Sequence, residues 1–242
     1  MPHDPQRFTT THWSLVSAAR PDEASQTRAR KALEELCRVY WYPLYAFVRS
    51  REYSVDDAQD LTQAFFTRII EKGGFVSVDR ERGRFRSYLL GAMKHFLANE
   101  WHRAQTQKRG GQMQFVEWDA LDPETRYTQA SKQSDNPEQL FEREWALETV
   151  SGALQALRDE METAGRIDQF EALKGSLTGG EESSREEIAA QLDMSEDAVK
   201  VAIHRLRKRY RTLLRAAIAE TVNNETDLDD EMHYLVEVLR RQ

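Results

Sequence analysis

The chain has 242 residues, 40% hydrophobic and 31% charged, which allows one or two soluble domains with a real core. Its net charge of −7 argues against indiscriminate nucleic-acid binding over the whole surface, so the distribution of charge matters more than the sum. A single cysteine, Cys37, excludes a disulfide framework or a thiolate zinc site within one chain, and no apolar run is long enough to span a membrane.

Residues 1–28 form a polar N-terminal extension in which T-T-H-W-S-L-V predicts a short helix, with no signal-peptide core. A first helical domain is expected over 29–107. From Arg28 to Ser50, Leu33, Leu36, Cys37, Tyr40, Leu44, Tyr45 and Val48 recur at helical spacing, and Pro43 predicts a kink or a break. Ser54 caps the next helix, with Asp56 and Asp57 in its first turn and Ala58, Leu61, Phe65 and Ile69 inside. Phe66 lies off that stripe: it either faces a partner or packs on a neighbouring helix. Gly73-Gly74 ends the helix, and a loop leads to a long helix from Arg84 to about Gln107.

In that long helix Phe85, Tyr88, Leu89, Ala92, Met93, Phe96, Leu97 and Trp101 supply an apolar side. Arg84, Arg86, Lys94, His95, Asn99, His102 and Arg103 supply a mostly basic one. Bases interleaved with aromatics suit single-stranded or melted nucleic acid, although most of these aromatics are also expected in the core. Residues 108–136 read as a polar linker that Phe115, Trp118 and Tyr127 tack onto a surface.

A second helical domain is expected over 137–220, opening with Asn136 as cap and Pro137 in the first turn. Its end is the most informative stretch. Ser184 and Glu187 make a capping box, Asp193-Met194-Ser195 a short turn, and Ser195 a second cap. Ile188, Ala189 and Leu192 face Val199, Ile203 and Leu206, the pattern of a helix-turn-helix. Seven bases and no acid follow from Val199 to Arg215, a stripe that attracts phosphate. Residues 221–242 form an acidic tail with a short helix over Met232–Leu239. The fold class is therefore all-α: two helical domains joined by a polar linker, the second ending in a helix-turn-helix.

The six histidines show no metal-ligand spacing. There is no phosphate-cradling glycine loop and no G-x-S-x-G, and the carboxylates fall in helix first turns or acidic runs. Neither an enzyme, a metal site nor a cofactor is expected.

Three runs, D-D-A-x-D-L-x-Q-x-F-F, E-R-G-x-F-R and V-K-x-x-x-H-R-x-R-K-R, stand in the order found in extracytoplasmic-function (ECF) sigma factors of the sigma-70 family. Ala32–Arg103 resembles their region 2 and Thr149–Arg215 their region 4. The resemblance implies a transcription initiation factor that binds core RNA polymerase, recognises −10 and −35 promoter DNA and helps to open it. It implies core-polymerase contacts at Asp57, Asp60, Gln63 and Phe66. It implies −10 contacts at Asp79, Arg80, Arg84, Arg86, Lys94, His95, Asn99 and Arg103. It implies −35 contacts at Glu196, Asp197, Lys200, His204, Arg205, Arg207 and Lys208.

There are departures. Val201-Ala202 replaces a common Ser-Arg and removes a −35 contact, while His95 and Asn99 replace the more usual Asn and Asp. The acidic tail is an addition, expected to compete with DNA for the basic helix. The expected setting is the cytoplasm, with a monomeric free chain, no membrane partner, and an anti-sigma factor left open. A helix-turn-helix regulator acting alone, or a sigma-like protein that has lost promoter reading, are the alternatives.

Overall fold

The computed structural model describes residues 27, 38–71, 84–106, 123–131, 136–178, 184–222 and 224–241. The T-T-H-W-S-L-V segment, Cys37, Phe115, Trp118 and the loop bearing Asp79 and Arg80 lie outside them. Regular structure among the described residues is entirely helical. Contacts divide the chain into two compact units, Met1–Glu148 with Ala219–Gln242, and Thr149–Ile218.

The first unit is built around α1, the helical residues 38–49, which run unbroken through Pro43. Every residue from Tyr42 to Val48 is buried, so this helix is apolar all round and central. Around it lie α2 (Val55–Glu71), α3 (Phe85–Thr106), α4 (Pro123–Ser131) and the start of α5 (Pro137–Thr163). The Ser54 hydroxyl accepts the Asp57 N–H at 3.1 Å, and Asn136 accepts that of Glu138 at 2.9 Å, so both expected caps form. Phe65 meets Phe96 edge-on at 5.6 Å and ties α2 to α3.

Helix α4 falls within the stretch expected to be linker. Its own sequence, PETRYTQAS, offers little to bury; distant partners hold it instead. Glu124 accepts two bonds from Arg49 (2.6 and 2.8 Å) and one from the Tyr45 hydroxyl (2.9 Å). Arg49 also lies over the Tyr127 ring at 4.8 Å, so Tyr127 does tack this stretch down. In return Arg126 covers the Tyr42 ring at 3.7 Å and binds Glu144 (2.9 Å) and Glu148 on α5.

The C-terminal stretch is one helix over Glu225–Arg240, longer than the expected Met232–Leu239, because Asn224 caps it by accepting the Asp227 N–H at 2.8 Å. Leu228, Glu231, Leu235 and Val238 are its buried residues. Residues 137–148 also belong to the first unit rather than to the second domain as bounded from sequence, with Leu140, Phe141 and Trp145 buried in its core.

In the second unit, the end of α5 turns at Gly165, whose φ of 67° is left-handed, into α6 (Ile167–Leu173). Then come α7 (Gly175–Thr178), α8 (Arg185–Leu192), α9 (Glu196–Ala219) and, back in the first unit, the C-terminal helix α10. Leu157, Met161, Phe170, Leu173, Ile188, Ala189, Val199 and Leu206 make one buried core. Leu192 and Ile203 pack partly buried against it, so the predicted inner faces of α8 and α9 meet as expected.

Candidate nucleic-acid interface

The turn between α8 and α9 is fixed from both sides. The Ser184 hydroxyl accepts the Glu187 N–H at 3.1 Å, and the Glu187 carboxylate accepts the Ser184 N–H at 2.8 Å, a complete capping box. At the other end Asp193 takes the left-handed conformation (φ 51°, ψ 48°) and the Met194 N–H returns to the Ala189 carbonyl at 2.9 Å. The Ser195 hydroxyl then accepts the Ala198 N–H at 3.2 Å and starts α9.

This places Glu196, Asp197, Lys200, His204, Arg205, Arg207 and Lys208 on the exposed side of α9. The side is not uniform. Arg207 donates twice to the Ser176 carbonyl (3.1 and 2.9 Å), and Arg209 binds Glu160 in a two-point pair (2.8 and 2.5 Å). The Arg209 bond holds the Glu160 carboxyl below the usual carboxylate range. These two arginines clasp α9 to its own unit and so differ from Lys200, Arg205 and Lys208. Val201 is 48% exposed on the same helix and, with Met194, Ala202 and Arg205, lines a cleft of about 560 Å³.

In the first unit, Asp57 and Asp60 are exposed and Gln63 half-buried on α2, and the Asp57 carboxylate accepts the Ser54 hydroxyl at 2.7 Å. Phe66 is only 5% exposed, edge-on to Phe65 at 5.5 Å. It packs on its neighbours, the second of the two readings its spacing left open, and offers no exposed aromatic for the polymerase contact that the resemblance implies. Its place off the sequence stripe reflects a wide buried face: Ala58, Thr62, Phe65 and Phe66 are all buried on this helix.

The −10 candidates divide as well. His95 and Asn99 are exposed on α3. Lys94 pairs with Glu138 at 2.7 Å, a bond that pulls the Glu138 carboxyl down. Arg103 belongs to α3, with its side chain outside the described set, as are Asp79 and Arg80.

Arg86, expected on a basic outer side, is 4% exposed. It binds Glu231 at 2.5 and 3.2 Å and Glu142 at 3.0 Å, with Tyr234 and Trp145 rings 4.1 and 5.0 Å away. Burial opposes its charge, but the two carboxylates more than offset that and its pKa is raised. The Tyr234 hydroxyl donates to Glu142, and burial together with that bond pushes it up to about 12. No sequence pattern marks these carboxylate partners, because they lie 56 and 145 residues away.

Trp101, placed with the apolar side, is instead 55% exposed and edge-on to His102 at 5.2 Å. It stands four positions beyond Leu97, the last buried residue of that stripe.

Among the described residues no group of His, Cys, Asp and Glu could hold a metal, and no helix is long and apolar enough to cross a membrane.

A fold that is all-helical among the described residues, with a capped helix pair presenting cations and a second, aromatic-rich helical unit, fits a DNA-binding transcription factor. The family model for ECF sigma factors matches residues 24–216, and the chain belongs to that family. It is similar to the RNA polymerase sigma factor YlaC of Bacillus subtilis, 28% identical over 74% of this chain and 89% of the relative. It is also similar to the ECF RNA polymerase sigma factor SigE of Mycolicibacterium smegmatis, 26% identical over 90% of this chain and 77% of the relative. No solved structure matches it significantly. Its role is that of a sigma factor in transcription initiation.

Proposed function

We propose that the chain binds core RNA polymerase through α2 and reads promoter DNA at two places, as a non-catalytic cytoplasmic factor. Asp57, Asp60 and Gln63 meet the polymerase, with Phe66 supporting that surface from within. The α3 helix and the loop before it, with Asp79, Arg80, Arg84, Lys94, His95, Asn99 and Arg103, take the opened −10 strand, and the buried Arg86 supports that surface from within. The α9 helix enters the −35 major groove through Glu196, Asp197, Lys200, His204, Arg205 and Lys208, with Arg207 supporting it from behind. Two weak readers on one chain gain affinity by tethering. The observation that carries this reading is the α8–turn–α9 pair, closed by a full capping box and a left-handed Asp193, with cations on its exposed side.

The test is gel filtration of the protein with sigma-free core polymerase, alongside a charge-reversal variant, Asp57→Lys with Asp60→Lys. Co-elution that the variant loses while keeping its helical circular dichroism is the expected result. A protein that binds duplex DNA but never co-elutes is a regulator acting alone, and the polymerase reading fails.

A further inference from the structure

The C-terminal helix α10 carries a charge where its pattern calls for an apolar residue. Leu228, Leu235 and Val238 form its buried stripe, and Glu231, in the same stripe, is 1% exposed. Its carboxylate receives two arginines from the start of α3. Arg86 approaches in a two-point fork, and Arg84 places Nε at 3.1 Å from Glu231, with Asp230 at 3.8 Å from the same guanidinium. Guanidinium forks closing on one anion are also how arginines hold a phosphodiester. Stability alone does not call for such a buried pair, since apolar residues of similar volume often do as well or better. The tether is short: the Phe85 N–H, at the first turn of α3, faces the Thr221 carbonyl at 3.5 Å, and Thr221 and Val222 are buried. That keeps α10 at high effective concentration beside its seat.

We propose that α10 and the sugar-phosphate backbone of a single DNA strand compete for this surface of α3, so that docked α10 restrains the chain's own strand binding. The competition rests on reading α3 as the strand-capturing helix. It moves the effect of the acidic tail from the recognition helix α9, where sequence alone suggested it, to α3. Arg84 is the main cation released, because Arg86 keeps Glu142 and Trp145 when α10 leaves.

The experiment measures binding of fluorescein-labelled oligo(dT) by three proteins: the full chain, full-length Asp230→Asn with Glu231→Gln, and a chain ending at Val222. At about 0.1 M salt, release of one cation, Arg84, should tighten binding roughly 5-fold in the shortened chain, at roughly 0.7 log unit per cation. The salt slope should steepen to match. The Asn/Gln variant should lie between, Arg84→Gln should remove the gain, and a peptide covering residues 220–242 added in trans should reverse it.

Equal binding by all three proteins overturns the competition, as does a gain that survives Arg84→Gln. If the shortened chain loses its helical circular dichroism, the full-length Asn/Gln variant decides alone: a tightening that Arg84→Gln removes upholds the competition, and none overturns it. Core-polymerase co-elution of the same proteins separates the two claims. Co-elution without a gain ends only the competition; a gain without co-elution ends only the polymerase reading.

Discussion

Asp193 is a non-glycine residue in left-handed backbone at the one point where α8 must stop and the chain reverse. Aspartate tolerates that region better than most residues, and a β-branched side chain tolerates it worst. Asp193→Val should cost about 1–2 kcal/mol in urea unfolding, while Asp193→Gly should stay within about 0.5 kcal/mol because relieved strain and added unfolded-state entropy oppose each other. Arg126 poses a different question. It is the partner of Glu144, a carboxylate 1% exposed whose pKa burial raises while Arg126 pulls it back. Arg126→Ala leaves that charge stranded and should cost about 2–4 kcal/mol near neutral pH, less than a fully buried break because Arg126 is partly exposed. The sign of the pH effect follows from the raised value. A carboxyl raised in the folded state favours folding below its unfolded pKa, near 4.5, and that contribution is lost as pH rises through the folded value. The loss in Arg126→Ala should therefore shrink as pH falls toward that lower limit. A constant difference between the two unfolding curves across pH would refute it.

At the scale of elements, legibility follows the range of the interactions. The α8–α9 pair was readable because its signals are local: a cap and its partner three residues apart, a three-residue turn, and apolar positions at helical spacing. Ser184→Ala should accordingly cost about 1 kcal/mol, read as a lower urea midpoint with an unchanged slope. Helix α4 was not readable, because Arg49, Tyr42 and Glu144 hold it from elsewhere in the chain and no apolar period marks it. Nor were the length and seat of α10, whose buried stripe includes a glutamate that reads as solvent-facing. Trp101 left its expected place, and the choice left open for Phe66 fell to the core, for a related reason. Spacing gives the face of a helix, but where the neighbouring elements cover that face is decided in three dimensions.

Across the whole molecule, a chain of net charge −7 can attract DNA only where its cations are concentrated and not already neutralised. Counting the bases on α9 overstates that supply, because Arg207 and Arg209 are engaged with Ser176 and Glu160 of the same unit. Sequence places all of these residues on one stripe; only the fold separates those that face outward from those that clasp. The two classes should part in a salt titration of duplex DNA binding. Lys200→Gln and Lys208→Gln should each lower the slope of log affinity against log salt by roughly 0.9 and leave the unfolding midpoint alone. Arg209→Gln breaks an exposed pair, so it should cost a few tenths of a kcal/mol of stability and move the slope little. A slope change for Arg209→Gln as large as for the lysines would mean that the clasp opens when DNA binds and that Glu160 and phosphate exchange for the same guanidinium.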